Sequence, residues 1–587
     1  AYYERSRFAE VFAHVKRAPR TLEQRIEAIP GVRTVETRVV RDVTLDVPGL
    51  IEPATGRLIS IPDEREARLN LVHLRLGRMP EPDRPEEVVV CEAFAEAHDF
   101  VPGNRVRAII NGRLQELVIV GIVLSPEYIY QIRPGDLMPD DRRFGIFWMG
   151  YTALAEAFDM EGAFNDIALT LDRDAGGTLE AAVIEQLDEL LERYGSGGAY
   201  GRDDQLSHRY VSDELRQLAT TAVLPPSIFL GVAAFLVGTV LARIIRMQRE
   251  QIAALKAFGY TGGQIARHYL GFVLIICAVG SVLGVGLGWQ LGRAMTALYA
   301  QFFRFPSFGF TLDTRAIWIG IFASTGLGAF GAMRSLRHAA SLPPAEAMRP
   351  EPPPEYKPTL VERIGLQRVF AAPSRMILRK LESHPWRAAM TVFGLSLGTA
   401  VLIVGNFSLD AVGEMIDLEF RRVQRQDVTV TLVESIGRDG MHELAALPGV
   451  IRSEPFRAVP VRAIAGHRQE RLSLMGLQPD PSLRRVLDLD GRPVQLPPEG
   501  VVISEKLAEL LHLTEGDVLR LEILEDRRPE RTVVVARIVA GYLGISAFMD
   551  INALNRLMRE GPSVSGAFLQ VDAERTDDLF HQLKRTP

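Results

Sequence analysis

Residues 223–245 read VLPPSIFLGVAAFLVGTVLARII, and their only charge is Arg243, near the end. A helix needs about 20 apolar residues to cross the hydrocarbon core of a bilayer, and this stretch is long enough. Three more runs of the same kind begin at about Tyr269, Ala316 and Ala388. A buried core helix in a large soluble protein explains one such run; four in one chain, none interrupted by an acid or a histidine, read as membrane spans.

The whole-chain composition hides this. The chain has 587 residues, 47% hydrophobic and 24% charged, with two cysteines and a formal net charge of −6, which is ordinary for soluble proteins. Two cysteines exclude a disulfide scaffold and a cysteine-rich zinc module, and the absence of a basic excess argues against nucleic acid as a partner. Split by segment, the net charge is −12 over residues 1–222, +11 over 223–407 and −5 over 408–587. An apolar, basic middle therefore separates two acidic flanks. The loop after the first span carries Arg243, Arg246, Arg249, Lys256 and Arg267, and the segment from Arg334 to Arg387 is also rich in arginine. The loop between the second and third spans carries only Arg293, Arg304 and Arg315. By the excess of Lys and Arg in cytoplasmic loops, the first two segments are cytoplasmic and both flanks lie outside.

Small residues recur every fourth position in the spans: Gly280, Gly284, Gly288 and Gly292, then Gly320, Ser324, Gly328 and Ala332. With Gly394 and Gly398 they predict smooth faces where helix backbones approach. Pro225 and Pro226 predict a kink in the first span, or its true start.

The flanks read as copies of each other. IEAIPGV (26–32) matches LAALPGV (444–450), EVVVCEAFAEAHDFVPGNRV (87–106) matches GVVISEKLAELLHLTEGDVL (500–519), and MGYTALAEAF (149–158) matches MDINALNRLM (549–558). Each copy alternates Val/Ile-rich strands with short helices and glycine turns, an α+β pattern. Val183, Leu187, Leu190 and Tyr194 predict an amphipathic helix after the first copy, and another begins at about Thr576. Val211, Leu215, Leu218 and Ala222 predict a helical stalk running into the first span.

The cytoplasmic segment 246–270 reads RMQREQIAALKAFGYTGGQIARHYL. It predicts a short helix with Ile252, Leu255 and Phe258 along one face, Gly259 at its C-terminus, and a Thr261/Gln264 capping box opening the next helix. This run resembles the signature of FtsX/MacB-type ABC transporter permeases through Arg249, Glu250, Ala254, Leu255, Lys256, Ala257 and Gly259. LPPAEAMRPE (342–351) resembles the family's end-of-unit sequence, and LRKLESHPWRAAMTVFGLSLGTAVLI (378–403) its unit start, with Lys380 in place of the usual Asn. The resemblance covers nearly the whole chain and implies a membrane α-helical bundle plus two α+β extracytoplasmic domains of the MacB periplasmic-core type, related by the internal repeat. It divides the chain into a first domain (1–202), a stalk (203–222), a transmembrane unit (223–336, spans 223–245, 269–292 and 316–336, coupling segment 246–268), a cytoplasmic linker (337–387), the first span of a second unit (388–407) and a second domain (408–587). A two-unit permease of this kind has about eight spans. On that pattern one span is expected before residue 1 and three after residue 587.

The resemblance further implies a bacterial inner-membrane transport subunit without an enzyme site of its own. A separate ABC ATPase dimer would bind the ATP and contact Arg249, Glu250, Leu255, Lys256 and Gly259. No cofactor or metal is expected, since no phosphate loop and no H-E-x-x-H is present. Membrane lipid is an expected partner, and a periplasmic adaptor or lipoprotein a further candidate. The implied work is mechanical movement of the outer domains on a lipophilic or envelope substrate; the alternative is a signalling scaffold that activates a cell-envelope hydrolase. Gly394-Leu-Ser396-Leu-Gly398 and Gly326-x-Gly328-x-x-Gly331 match hydrolase and dinucleotide patterns, but both lie inside spans, where helix packing explains them. Cys91 and Cys277 read as small apolar fillers.

Overall fold

The computed structural model describes residues 2–133, 136, 138–172, 177–341, 343, 373, 376–377, 381, 385–466, 468–525, 529–541 and 544–584. The chain forms two compact units, one of Ala1–Asp213, Ala300–Phe308 and Val412–Pro587, the other of Glu214–Tyr299 and Gly309–Ala411.

In the first unit, the N-terminal domain runs β1 Val11–Pro19, α1 Leu22–Glu27, β2 Val32–Arg38, β3 Val40–Asp46, β4 Ala54–Ile61, β5 His73–Gly77, β6 Glu87–Cys91, α2 Glu92–Ala97, β7 Arg105–Ile110, β8 Arg113–Leu124, β9 Phe144–Gly150, α3 Tyr151–Ala157, β10 Ala163–Leu171, α4 Gly177–Leu191 and β11 Tyr200–Gly201. Strands β11, β1, β10 and β2 form an antiparallel sheet in that order. The sheet buries Val11, Val35 and Ile167 against Leu22 and Ile26 of α1 and against Val183, Leu187 and Leu191 of α4, the helix face its apolar spacing predicts. Six of the remaining strands close a ring, β3–β4 antiparallel, β4–β9 parallel, β9–β6 antiparallel, β6–β8 parallel, β8–β7 antiparallel, β7–β3 antiparallel, and β5 adds antiparallel to β8. Closure removes free edges, and Val88–Cys91 are buried on both faces.

The helices α5 Leu206–Met247, α6 Arg249–Ala257, α7 Gly262–Tyr299, α8 Thr314–Ser341 and α9 Pro385–Asp417 follow. Among the described residues, four helices are long and apolar enough to cross a membrane. The residues expected to form the stalk and the first span lie in one continuous helix, Leu206–Met247. Pro225 and Pro226 lie inside α5, so they do not mark its start; the turns on either side carry the helix through the missing donors.

The C-terminal domain runs β12 Val428–Gly437, α10 Met441–Ala445, β13 Val450–Ala465, β14 Arg468–Leu477, β15 Val501–Ser504, α11 Glu505–Leu511, β16 Val518–Ile523, β17 Glu530–Val539, β18 Ala547–Asp550, α12 Ile551–Met558, β19 Ser563–Val571 and α13 Thr576–Leu583. β19 pairs antiparallel with β12 and β13, as β10 does with β1 and β2. A second ring closes through β13–β14 antiparallel, β14–β18 parallel, β18–β15 antiparallel, β15–β17 parallel, β17–β16 antiparallel and β16–β13 antiparallel. That is the same succession of senses as in the first ring.

Local geometry also recurs. Gly31 has φ +94° and accepts from the Asp172 amide at 3.0 Å; Gly449 has φ +79° and accepts from the Asp572 amide at 2.8 Å. Gly103 (φ +103°) donates to the Ile119 carbonyl at 2.7 Å, and Gly516 (φ +93°) to the Val535 carbonyl at 2.8 Å. The register shifts between Val88 and Val89 in one ring and between Val501 and Val502 in the other.

Candidate functional site

At one end of the helical unit, apolar side chains from four helices meet: Leu241 and Ile245 of α5, Ile252 of α6, Ile265, Tyr269 and Val273 of α7, Leu336 and Ala339 of α8. This core fixes α6. Ile252 is 1% exposed, whereas Leu255 is 43% and Phe258 84% exposed. The sequence places the three on one face; the structure splits them, because three-residue steps drift around a helix of 3.6 residues per turn. Met247 and Tyr260 are exposed as well.

Polar contacts hold the same corner. The Lys256 Nζ donates to the Ala340 carbonyl at 2.9 Å, near the C-terminus of α8, where unpaired carbonyls favour a cation. Burial pushes its ammonium below the ordinary lysine value. The Tyr269 hydroxyl donates to Gln248 Oε1 at 2.6 Å, and the Ser335 hydroxyl donates to the Gly238 carbonyl at 3.2 Å. Arg249 and Glu250 form the first turn of α6, where Glu250 suits the positive end of the helix dipole.

The end of α6 follows the predicted chemistry. Gly259 has φ +95°. Its amide donates to the Lys256 carbonyl at 3.0 Å, and the Tyr260 amide to the Leu255 carbonyl at 3.2 Å, the paired bonds of a Schellman motif. The Thr261 amide donates to Gln264 Oε1 at 2.9 Å while the Gln264 amide donates to Thr261 Oγ1 at 3.3 Å, a reciprocal capping box.

The small residues divide. A Cβ on Gly328 would lie 2.7 Å from Cys277 Sγ, and one on Gly394 3.7 Å from Phe235 Cδ1. Positions 280, 284, 288, 320 and 398 meet no atom within 4 Å. Close helix approach occurs instead at Gly238 and Gly331. A Cβ on Gly331 would collide with the Ala234 carbonyl, and one on Gly238 with the Gly331 carbonyl. These two glycines sit outside the four-residue stripes, and only the pairing of α5 with α8 identifies them.

Cys91 and Cys277 are both buried free thiols; burial pushes the Cys91 thiol up to about 11. No group of His, Cys, Asp or Glu able to hold a metal occurs among the described residues. The segment 344–351 of the end-of-unit resemblance, residues 378–380 and 382–384 of the unit start, and most of the linker 337–387 lie outside the described residues.

No curated protein sequence matches this chain. The extracellular domain of YknZ, a noncanonic ABC-type transporter from Gram-positive bacteria, aligns at 16% identity over 27% of this chain and 89% of that one, with a TM-score of 0.20. The periplasmic region of MacB from Actinobacillus actinomycetemcomitans aligns at 12% identity over 36% of this chain and 95% of that one, with a TM-score of 0.23. Residues 226–344, which contain α6 and its anchoring corner, match the family model of the FtsX-like permease C-terminal domain.

Proposed function

We propose that this chain is the transmembrane subunit of an ABC transporter of the MacB type in a bacterial inner membrane, and that a separate ATPase dimer docks on α6. The observation that carries this reading is the two-sidedness of α6. Ile252 and Lys256 anchor it to the bundle, while Met247, Leu255, Phe258 and Tyr260 present an apolar surface to solvent. Exposed apolar patches mark interaction sites, and a buried aromatic anchor is the usual energetic centre of an interface. Arg249 and Glu250 would flank that contact, and Gly259 would shape the turn behind it. ATP would be bound by the partner.

In this reading α5 transmits the movement. It is a single helix from Leu206 to Met247, so motion imposed at α6 reaches the stalk without a loop between them. Residues Ala300–Phe308, between α7 and α8, belong to the same compact unit as the flanking domains, which supports one extracytoplasmic side for all three. We read the two flanking domains as an internal repeat, supported by the matching ring pairings and by the equivalent glycines Gly103 and Gly516. Their work would be mechanical, on a lipophilic or envelope substrate, with membrane lipid and a periplasmic adaptor or lipoprotein as partners. Gly280, Gly284, Gly288, Gly320 and Gly398 would face other helices of the assembled permease.

The test is ATP turnover by the partner ATPase in membranes containing the chain. Leu255→Asp combined with Gly259→Pro abolishes the stimulation if α6 is the docking element; unchanged stimulation rejects it.

A further inference from the structure

At the junction of sheet and ring in the first domain lies a buried charge cluster that none of the foregoing uses. Arg38, at the end of β2, donates through Nη1 and Nη2 to the Glu127 carboxylate at 2.6 and 2.9 Å and through Nε to Asp166 Oδ1 at 2.7 Å. Asp166, on β10, also meets His14 Nδ1 of β1 at 2.7 Å. Burial pushes the Asp166 carboxyl up, but the Arg38 charge and then His14 outweigh it and hold it below the usual carboxylate range. Burial likewise disfavours the Arg38 cation, and Asp166 and Glu127 more than restore it.

Glu127 follows the ring strand β8, and its segment receives the head of α5. Gln205 donates through Nε2 to the Glu127 carbonyl at 2.8 Å, while its Oε1 accepts from the His208 amide at 2.7 Å and so caps the helix. The Tyr130 amide donates to Ser207 Oγ at 2.9 Å, and the Arg304 amide to the Ile129 carbonyl at 2.8 Å. One short segment, residues 127–130, thus holds the stalk head and the α7–α8 loop, and Arg38 ties that segment to the sheet.

The second domain fills the equivalent strand pair differently. Arg38 faces Asp166 across β2 and β10; Phe456 faces Gly566 across β13 and β19. A Cβ on Gly566 would lie 2.7 Å from Phe456 Cζ, so the ring takes the space of the ion pair. Arg457, the next residue, pairs with Glu525 at 2.7 Å and Glu560 at 3.4 Å, both within the C-terminal domain.

Resting on the proposed function, we propose that Arg38 is the positioning residue that makes sheet, ring and stalk head of the first domain move as one body. The Phe456–Gly566 pair shows that the same strand pairing folds without that strut. A buried pair that loses one partner is costly, so the test removes the Arg38, Glu127 and Asp166 charges at once.

The full chain in lipid nanodiscs is spin-labelled after Leu76→Cys and Arg209→Cys, both exposed positions, the native Cys91 and Cys277 being buried. Without nucleotide, the 76–209 distance distribution is narrow. It broadens at least about twofold with Arg38→Phe plus Glu127→Gln plus Asp166→Gly, and also with Gln205→Ala, while a 76–114 pair, on the paired strands β5 and β8, keeps its width. An unchanged 76–209 width in both variants overturns the proposal; if the 76–114 pair also broadens in the triple variant, Gln205→Ala alone decides. With the ATPase present, the variants retain stimulated ATP turnover but lose at least about half of the ATP-dependent shift between labels at 76 and 518. A wild-type chain that fails to stimulate the ATPase counts against the transporter reading, and the nucleotide-free widths still decide the joint.

Discussion

Lys256 reaches out of α6 and donates to the Ala340 carbonyl at 2.9 Å, in the last turn of α8. The bond makes a side chain of α6 part of the bundle's internal support. Lys256→Ala leaves that carbonyl without its cation, and capping interactions of this kind contribute about 1 kcal/mol. Hydrogen exchange is therefore expected to speed up at residues 253–260 and 335–341 and to stay unchanged in the two flanking domains. Equal exchange in variant and wild type removes the strut from the account.

Gly259 carries the left-handed turn that ends α6, with no atom near its Cβ position. Gly259→Ala pays only the backbone strain of φ +95°, about 1–2 kcal/mol. Gly263→Ala, equally open but with ordinary helical backbone, is expected to be neutral or slightly stabilising. Thermal unfolding of the two variants in detergent separates strain from crowding.

Gly331 and Gly284 make a second contrast. Gly331→Val drives side-chain atoms into the Ala234 carbonyl, and overpacking of this kind costs about 1–3 kcal/mol. Gly284→Val meets nothing within the chain and should leave its melting temperature unchanged. A Gly284→Val chain that folds normally yet fails to assemble would place that stripe against another helix.

The Glu87 carboxylate accepts from Arg78 Nη1 at 2.6 Å and from Nη2. The hydrogen bond from Arg78, opposed by burial, holds the carboxyl at about 2, below its ordinary value of 4.5. A carboxyl lowered by folding contributes stability above its ordinary value and loses it as the pH falls toward the folded one. Wild-type thermal stability should therefore decline between about pH 4.5 and pH 2 more steeply than that of Glu87→Gln.

Local signals were the most legible in the sequence. The long apolar helices, the Gly259 turn, the Thr261/Gln264 box and the glycine turns at Gly103 and Gly516 each depend on residues close in the chain, so spacing alone reveals them. Long-range pairings left no such trace. Arg38 finds Asp166 across 128 positions, and Lys256 finds Ala340 across 84. The inward turn of Ile252 depends on which neighbouring helices arrive, and the period of α6 then carries Leu255 and Phe258 outward. Gly238 and Gly331 were illegible for the same reason: their close approach belongs to a helix pair, not to a repeat within one helix.

The exposed rim of α6 is the surface proposed to receive the ATPase, and Phe258 is its most exposed residue at 84%. The direct measurement is the amount of ATPase retained on the purified chain. Phe258→Asp is predicted to lower it by about tenfold or more, as loss of an interface anchor does. Leu510→Asp, on the surface of the second domain, should retain it fully. Full ATPase retention by Phe258→Asp would contradict the account.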